Sequence, residues 1–464
     1  MIESTSEPIS ESLIRQYDVS GPRYTSYPTA DRFVEAFTAQ DYIQALEQRR
    51  DSAAASSALS LYIHIPFCEQ LCYYCACNKI ITKHHDRAAA YLKYLGQEID
   101  LHVKHMGAGQ PVSQLHFGGG SPTFLSDDEL REVVAMLRRS FKLAPSGEYS
   151  IEIDPRTIDH QRLDSLAEMG FNRLSFGVQD FEPAVQAAVH RIQPAEQVFD
   201  LVQAARSRGF ESINVNLIYG LPEQTPESVD RTMAQITALK PDRIALYAYA
   251  HLPERFKPQR RISSTEIPTA ASKITMLSRS MAALMAAGYV YIGMDHFALP
   301  NDSLAVAKRQ GRLHRNFQGY STQPDCDMIG LGVSSIGRVG ATYSQNAKTL
   351  EEYYDFLDQG QFPIVKGLGL TKDDLLRRSV IMALMCQGRL SYETIEHAYL
   401  IQFKQYFAKE LEILAAQVDQ GLVTMDDTGV QVTGKGWFFV RAVAMVFDRY
   451  LQGDRTRAKF SKIL

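Results

Sequence analysis

The chain has no run of about 18 uninterrupted apolar residues, so no segment reads as a membrane-crossing helix. Its first residues, MIESTSEPISESL, lack the basic head and apolar stretch of a secretory signal. Neither charge sign dominates. The 49 Lys and Arg against 53 Asp and Glu leave a formal charge of −4, which offers no general attraction to nucleic acid or an anionic membrane. Low-complexity tracts and internal sequence repeats are missing. Cysteine is scarce, six in 464 residues, which argues against a disulfide-held secreted scaffold. What remains is a cytosolic chain long enough for two or three domains, with 45% apolar residues to build cores. Nothing in it demands a partner surface, so a monomer is expected.

What cysteine there is sits together. Residues 59–81 read LSLYIHIPFCEQLCYYCACNKII, with Cys68, Cys72, Cys75 and Cys77 in one short stretch. In a reducing cytosol, clustered thiols are more often metal ligands or redox groups than disulfides. A structural zinc site wants four closed ligands, usually from two separated knuckles, and the C-x3-C-x2-C-x-C spacing suits that poorly. A compact loop suits an iron–sulfur cluster better. If Cys68, Cys72 and Cys75 alone bind a [4Fe–4S] cluster, one iron keeps an open position for chemistry. Zinc and a dithiol redox pair are the competing readings. Phe67, Leu71, Tyr73 and Tyr74 lie among the ligands and would limit water access. Cys326 and Cys386 stand alone and read as small packed residues.

Around this loop the pattern alternates. Strands are expected over 60–67, 113–119, 148–154, 173–179, 212–220 and 243–250. Helices are expected over 86–104, 127–141, 160–169, 195–208 and 227–239, several opened by capping residues such as Ser126 to Glu129. Six such repeats give an α/β fold, a partial (βα)6 TIM-like barrel over residues 53–300. Barrel chemistry gathers at the C-terminal ends of strands. That rule brings the cysteine loop, Gly118 to Gly120, Glu152, Gln179 and Asn216 to one mouth. Residues 1–52 form an irregular N-terminal extension expected to cover that mouth. Residues 301–365 hold a basic run and a Gly-rich stretch. Residues 366–464 turn mainly helical, with a β-hairpin near 421–433, as in a winged-helix-like module.

The cysteine pattern after a strand, followed by GGGSP (118–122) at the end of the next, resembles the radical S-adenosylmethionine (SAM) superfamily. Within it, nearly the whole chain resembles the oxygen-independent coproporphyrinogen III oxidases. SGPRYTSYPTA (20–30), IEIDPR (151–156), GFNRLSFGVQDF (170–181), LIYGLPEQTPES (217–228), GMDHFA (293–298) and LHRNFQGYSTQ (313–323) carry the likeness. It implies oxidative decarboxylation of two propionates of coproporphyrinogen III to vinyls, giving protoporphyrinogen IX in haem synthesis. The implied cofactors are a [4Fe–4S] cluster and SAM, two molecules per chain. The cluster reduces SAM to a 5′-deoxyadenosyl radical, which takes hydrogen from the propionate carbon attached to the pyrrole. An electron donor such as a flavodoxin or a reductase is implied as partner.

The resemblance assigns roles residue by residue. Cys68, Cys72 and Cys75 hold the cluster, and Cys77 serves catalysis without binding iron. Tyr62, Tyr74, Gly119, Gly120, Ser121, Glu152, Ala250 and Ile336 contact the first SAM. Gln179, Arg191 and Asn216 belong to the sites of the two SAM molecules, with Arg191 on the carboxylate of the second. Tyr62 and Glu152 are also expected to matter to catalysis. A carboxylate such as Glu152, late in a buried strand, is costly unless a ligand pairs it. Tyr74 stands where phenylalanine is common. Asn216 replaces an expected aspartate, keeping its shape and losing its charge. The substrate carries four carboxylates, so Arg23, Arg312 and Arg315, with Lys308 and Arg309, are candidate propionate holders. Each of these residues also has an ordinary reading as a packed or solvated side chain. Two relatives of other function remain, a haem chaperone and a haem-opening methyltransferase. Cys77 and the N-terminal segment favour the oxidase over the chaperone, and the HRNFQGY block favours it over the methyltransferase.

Overall fold

Alternating polarity builds the central sheet. The computed structural model describes residues 10–17, 19–323, 325–452 and 460. Six strands pair in parallel in chain order: β1 (Leu59–Ile65), β2 (Gln110–Gly119), β3 (Phe141–Ile153), β4 (Arg173–Gln179), β5 (Ser212–Tyr219) and β6 (Arg243–Ala248). Helices Asp86–Met106, Asp127–Ser140, His160–Glu168, Ala195–Ser207 and Pro226–Leu239 connect them. The expected α/β core is therefore present as a central parallel sheet with crossover helices.

Register sorts the side chains into two faces. Ile63, Phe117, Ile151, Leu174 and Ile213 are in register across β1 to β5, and all are buried. The other face carries Tyr62, His116 and Ser150 in one row. Glu152 faces Ser175, and Gly177 faces Asn216. Because strand side chains alternate with period two, one face packs against helices while the other is free to be polar.

The sheet grows on the other side of β1 from residues far along the chain. β7 (Met328–Leu331) runs parallel to β1, and β8 (Ile336–Val339), β9 (Thr342–Asn346) and β10 (Ile364–Gly369) add antiparallel strands. Two buried polar side chains fasten this addition. Arg49 donates to Asp327 Oδ2 at 3.0 Å, to Gln110 Oε1 at 2.8 Å and to the Ser57 carbonyl at 2.6 Å. Glu98 accepts from Gly332 N at 2.7 Å, Tyr353 Oη at 2.6 Å and Asn346 Nδ2 at 2.6 Å.

The chain forms two compact units. One takes residues 33–268 and 325–369; the other takes the described residues up to Arg32, those of 269–324 and those from Leu370 onward. The stretch 301–365 thus contributes to both, and 269–300 lies in the second. There the helix Lys372–Gln387 starts at a capping box of Thr371 with Asp374 and stops at Gly388, whose φ of +62° ends it cheaply. An antiparallel sheet of Arg389–Ser391, Gly429–Val432 and Val423–Met425 follows. It contains the expected hairpin. The N-terminal tyrosine segment packs in this unit. Tyr24 is fully buried and donates to Asp448 Oδ2 at 2.9 Å, and Arg441 donates to the carbonyls of Gly21 and Pro22. Among the described residues no helix is long and apolar enough to cross a membrane.

Candidate active site

The cysteine loop is tied at its base by backbone bonds. After β1, Phe67–Cys68 pairs in parallel with Ile80–Ile81, with Ile80 N to Pro66 O at 2.7 Å and Thr82 N to Cys68 O at 2.9 Å. This closes residues 69–79 into a loop bearing Cys72, Cys75 and Cys77. The end of β2 is fastened to the same entry. Gly120 N donates to Ile65 O and Ser121 N to Phe67 O, both at 2.8 Å. A Cβ on Gly120 would lie 2.7 Å from Phe67 O, so only glycine lets the two backbones meet. Gly119 has φ of +114°, which a side chain would strain.

These elements enclose a cavity of ≈ 250 Å³ at the C-terminal ends of the strands. Cys68, Cys72, Cys75, Cys77, Tyr74, Gly119, Gly120, Ser121, Glu152, Gln179, Arg191 and Asn216 all line it. Sequence order scatters them over nearly 150 positions; the strand ends gather them. All six cysteines are free thiols, and Cys77 is the exposed one of the loop. Cys68 is pushed up to about 12, chiefly by burial. Cys75 is lowered to about 6, chiefly by the Cys77 side chain and further by Lys79.

Other expected residues stand elsewhere. Tyr62 is absent from the cavity wall. Its hydroxyl lies 3.1 Å from His64 Nδ1, and its ring stacks on His116 at 6.0 Å. His116 Nε2 is 3.5 Å from Glu152 Oε1, so Tyr62 reaches the cavity through that pair. Ala250 offers its carbonyl to Gln259 Nε2 at 3.1 Å, and Gln259 also donates to Tyr74 O at 3.0 Å. Ile336 opens β8 opposite Gln345. Arg23, Arg312 and Arg315 lie in the other unit. Arg23 is paired with Asp295, and Arg312 is exposed beside Gln310. Arg315 is buried over the Tyr320 ring, donating to Arg23 O at 3.2 Å. Lys308 spends its ammonium on the carbonyls of Tyr291 and Ile292, both at 2.7 Å.

One cluster escaped the sequence reading. Asp154, just past β3, is gripped by Arg156 (Nη2 to Oδ2 2.7 Å) and by Arg191 (Nη2 to Oδ1 3.2 Å). Both guanidiniums also reach Cys72 Sγ, Arg191 at 3.5 Å and Arg156 at 3.6 Å. Arg191 further donates to Gly177 O at 2.6 Å, while its Nε is buried without a hydrogen-bond partner. The signal was a polar Asp-Pro-Arg immediately after a strand end, two residues beyond Glu152. Asn216 is held by neutral neighbours, donating to Ser175 Oγ at 3.1 Å and accepting from Asn214 at 2.9 Å.

The donor set fits an iron–sulfur cluster. Cys68, Cys72 and Cys75 all line the cavity, and two cations stand against the Cys72 sulfur, which would be anionic when ligated. Among the described residues no three His, Cys, Asp or Glu side chains converge as a single metal ion would require. Ligands of a cluster stand around a larger body instead.

Known proteins resemble this chain. Residues 62–236 match the radical SAM superfamily, and residues 370–439 match the HemN C-terminal domain. The oxygen-independent coproporphyrinogen III oxidase of Pseudomonas aeruginosa is 50% identical, covering 97% of this chain and 98% of its own length. The enzyme of that name from Escherichia coli is 47% identical, covering 98% of both. A solved structure of coproporphyrinogen III oxidase from Escherichia coli, a radical SAM enzyme, superposes with a TM-score of 0.89 at 46% identity, covering 93% of this chain and 100% of that one. The chain belongs to the oxygen-independent coproporphyrinogen III oxidase family of radical SAM enzymes, whose cofactors are a [4Fe–4S] cluster and SAM.

Proposed function

We propose that this protein oxidatively decarboxylates two propionates of coproporphyrinogen III to vinyls, yielding protoporphyrinogen IX. The observation that carries the reading is the single cavity joining the three-cysteine loop, the Gly119–Gly120 backbone and Glu152. Cys68, Cys72 and Cys75 would hold the cluster, leaving one iron for SAM. When bound together, the cluster and SAM supply a 5′-deoxyadenosyl radical able to take hydrogen from the propionate carbon next to the pyrrole.

The protein's own groups hold and charge the site. The exposed backbone at Gly119 and Gly120 lets a ligand approach closely. Glu152 offers a carboxylate to the amino or hydroxyl groups of SAM, with His116 and Tyr62 behind it. Arg191 Nε is an unspent buried donor suited to a carboxylate, which supports a second SAM beside Gln179 and Asn216. Neutral Asn216 can meet ribose hydroxyls but gives no charge to a cation. Cys77 lines the cavity and would act on substrate rather than on iron. Ala250 and Ile336 complete the first SAM site. The protein acts as a cytosolic monomer fed by a flavodoxin or a reductase.

The test is anaerobic. Cluster-loaded protein receives dithionite, SAM, an electron acceptor and coproporphyrinogen III, and products are read by chromatography and mass. Loss of two CO2 from the porphyrinogen, absent in Cys68→Ala, supports the reading. Untouched coproporphyrinogen beside cleaved SAM, with haem transferred intact or opened to a linear tetrapyrrole, overturns it.

A further inference from the structure

The reaction needs an electron from outside, and the cavity is the place for SAM and substrate. The cysteine loop also has an outer side. Tyr73, next to Cys72, does not line the cavity. Its ring stacks on His190 at 5.1 Å, with planes 9° apart, and the Arg261 guanidinium lies 5.1 Å over the ring. Arg261 donates to the Tyr73 hydroxyl at 3.2 Å. One backbone bond and one side-chain bond tie the turn at 189–192 to the loop: Tyr73 N donates to Val189 O at 3.0 Å, and the His190 ring Nδ1 lies 2.8 Å from Leu71 O. In that turn Arg191 reaches back to Cys72 Sγ at 3.5 Å. The next residue, Ile192, points away and is 69% exposed, the most exposed large apolar side chain described in its unit.

A basic segment joins this face through Arg261. Residues 254–261 read ERFKPQRR, with four basic residues and one acidic in a chain that is acidic overall. Arg255, Lys257, Arg260 and Arg261 are all exposed, and the segment is anchored to the loop through the stack of Arg261 on Tyr73. An apolar centre with a charged margin is how transient protein interfaces are built. The margin here selects an acidic partner.

We propose that this face, formed by Tyr73, His190, Ile192 and the basic segment 255–261, docks an acidic one-electron carrier protein. The inference rests on the proposed function, because only a cluster in the loop needs that electron. One electron passes from the carrier to the cluster. The carrier is oxidised by one electron, the cluster is reduced by one, and no bond forms or breaks. Docking on the outer side brings the donor to the ligand loop without entering the cavity. Opposite charge accelerates encounter by about 10- to 1,000-fold at low ionic strength, and salt removes the gain.

The experiment uses full-length, cluster-loaded protein, a triple variant Arg255→Glu/Lys257→Glu/Arg260→Glu, and Ile192→Asp. Flavodoxin, an acidic flavoprotein, is photoreduced and mixed anaerobically, and its oxidation is followed by stopped-flow absorbance. Dithionite, a small reductant that needs no docking, serves as the second arm. The triple variant is expected to accept electrons from flavodoxin at least about tenfold more slowly, with Ile192→Asp slowed in the same direction. The wild-type rate should fall between about 50 and 500 mM salt, while that of the triple variant should not. Dithionite should reduce all three proteins alike. Unchanged flavodoxin rates in both variants, or equal slowing with dithionite, overturn the proposal. Failure of the proposed function looks different: dithionite-reduced wild type would make no protoporphyrinogen while its cluster still accepted electrons.

Discussion

The carboxylate of Asp154 sits between two guanidiniums beside a cluster ligand, and neutralising it should cost far more than breaking a surface ion pair. It accepts from Arg156 Nε at 3.0 Å, Nη2 at 2.7 Å and the backbone N at 3.1 Å. Arg191 adds Nη1 at 3.3 Å and Nη2 at 3.2 Å. The side chains of Asp154, Arg156 and Arg191 are only 13%, 10% and 7% exposed. Burial alone would raise the carboxyl, but the Arg156 hydrogen bonds and the two cations outweigh it and hold it below its ordinary 3.8. Asp154→Asn keeps the shape and leaves two buried cations facing an amide. Breaking a buried pair in this way costs about 3–5 kcal/mol, against about 0–1 kcal/mol for an exposed pair.

Iron should change that cost. Cys72 Sγ lies 3.5–3.6 Å from the two guanidiniums, and as a ligated thiolate it would return part of the missing negative charge. Anaerobic unfolding of Asp154→Asn should therefore show a loss of about 3–5 kcal/mol without the cluster and a smaller loss with it. The wild-type contribution is present above the unfolded carboxyl value near 3.8 and is lost as pH falls through the lower folded value. The variant should lack this acid limb. A loss under about 1 kcal/mol in the iron-free protein, or the same loss in both forms, would refute the reasoning.

Four further substitutions probe other parts of the account. Cys77→Ser should keep the wild-type iron content yet lose most turnover, whereas Cys72→Ser should lose the cluster; iron analysis beside product assays separates the two. Gly120→Ala puts a methyl 2.7–2.9 Å from the backbone of Phe67 and Pro66, costing about 1–3 kcal/mol by overpacking and weakening SAM binding, as calorimetry would read. Glu98 is raised to about 7, chiefly by burial, against the lowering effect of its three donors. The folded state then holds a proton the unfolded state has lost, so stability should fall by about 3 kcal/mol as pH rises from about 4.5 to 7. Urea titrations across that range should show the slope in wild type and not in Glu98→Gln.

Much of this was legible in the residues. The strand at 173–179 matches its expected bounds, and each helix boundary falls within two residues, because capping boxes and polarity switches mark them locally. The cysteine loop and glycine loop converge because each ends a strand of one parallel sheet. β3 was only half visible. The strand is expected only over 148–154, yet Phe141, Lys142 and Leu143 already pair with β2, and a register shift follows before Glu148 pairs with Gln114. The strands β7 and β8 were hidden in IGLGVSSIGRVG, and β9 and β10 follow it. There glycine serves close packing, since a Cβ on Gly330 would meet Ile336 O at 2.6 Å. Their return to β1 from more than 260 residues away leaves no periodic trace. The bond between Asp154 and Arg191 likewise joins residues 37 apart, and only the fold brings them together.

Abstraction of hydrogen from the propionate is the central claim, and isotope transfer tests it most directly. Coproporphyrinogen III carrying deuterium on the propionate carbon attached to each pyrrole would be turned over anaerobically by the cluster-loaded protein. The 5′-deoxyadenosine would then be weighed by mass spectrometry. The account requires deuterium in that product, formed together with protoporphyrinogen IX. Vinyl products beside unlabelled 5′-deoxyadenosine would contradict it.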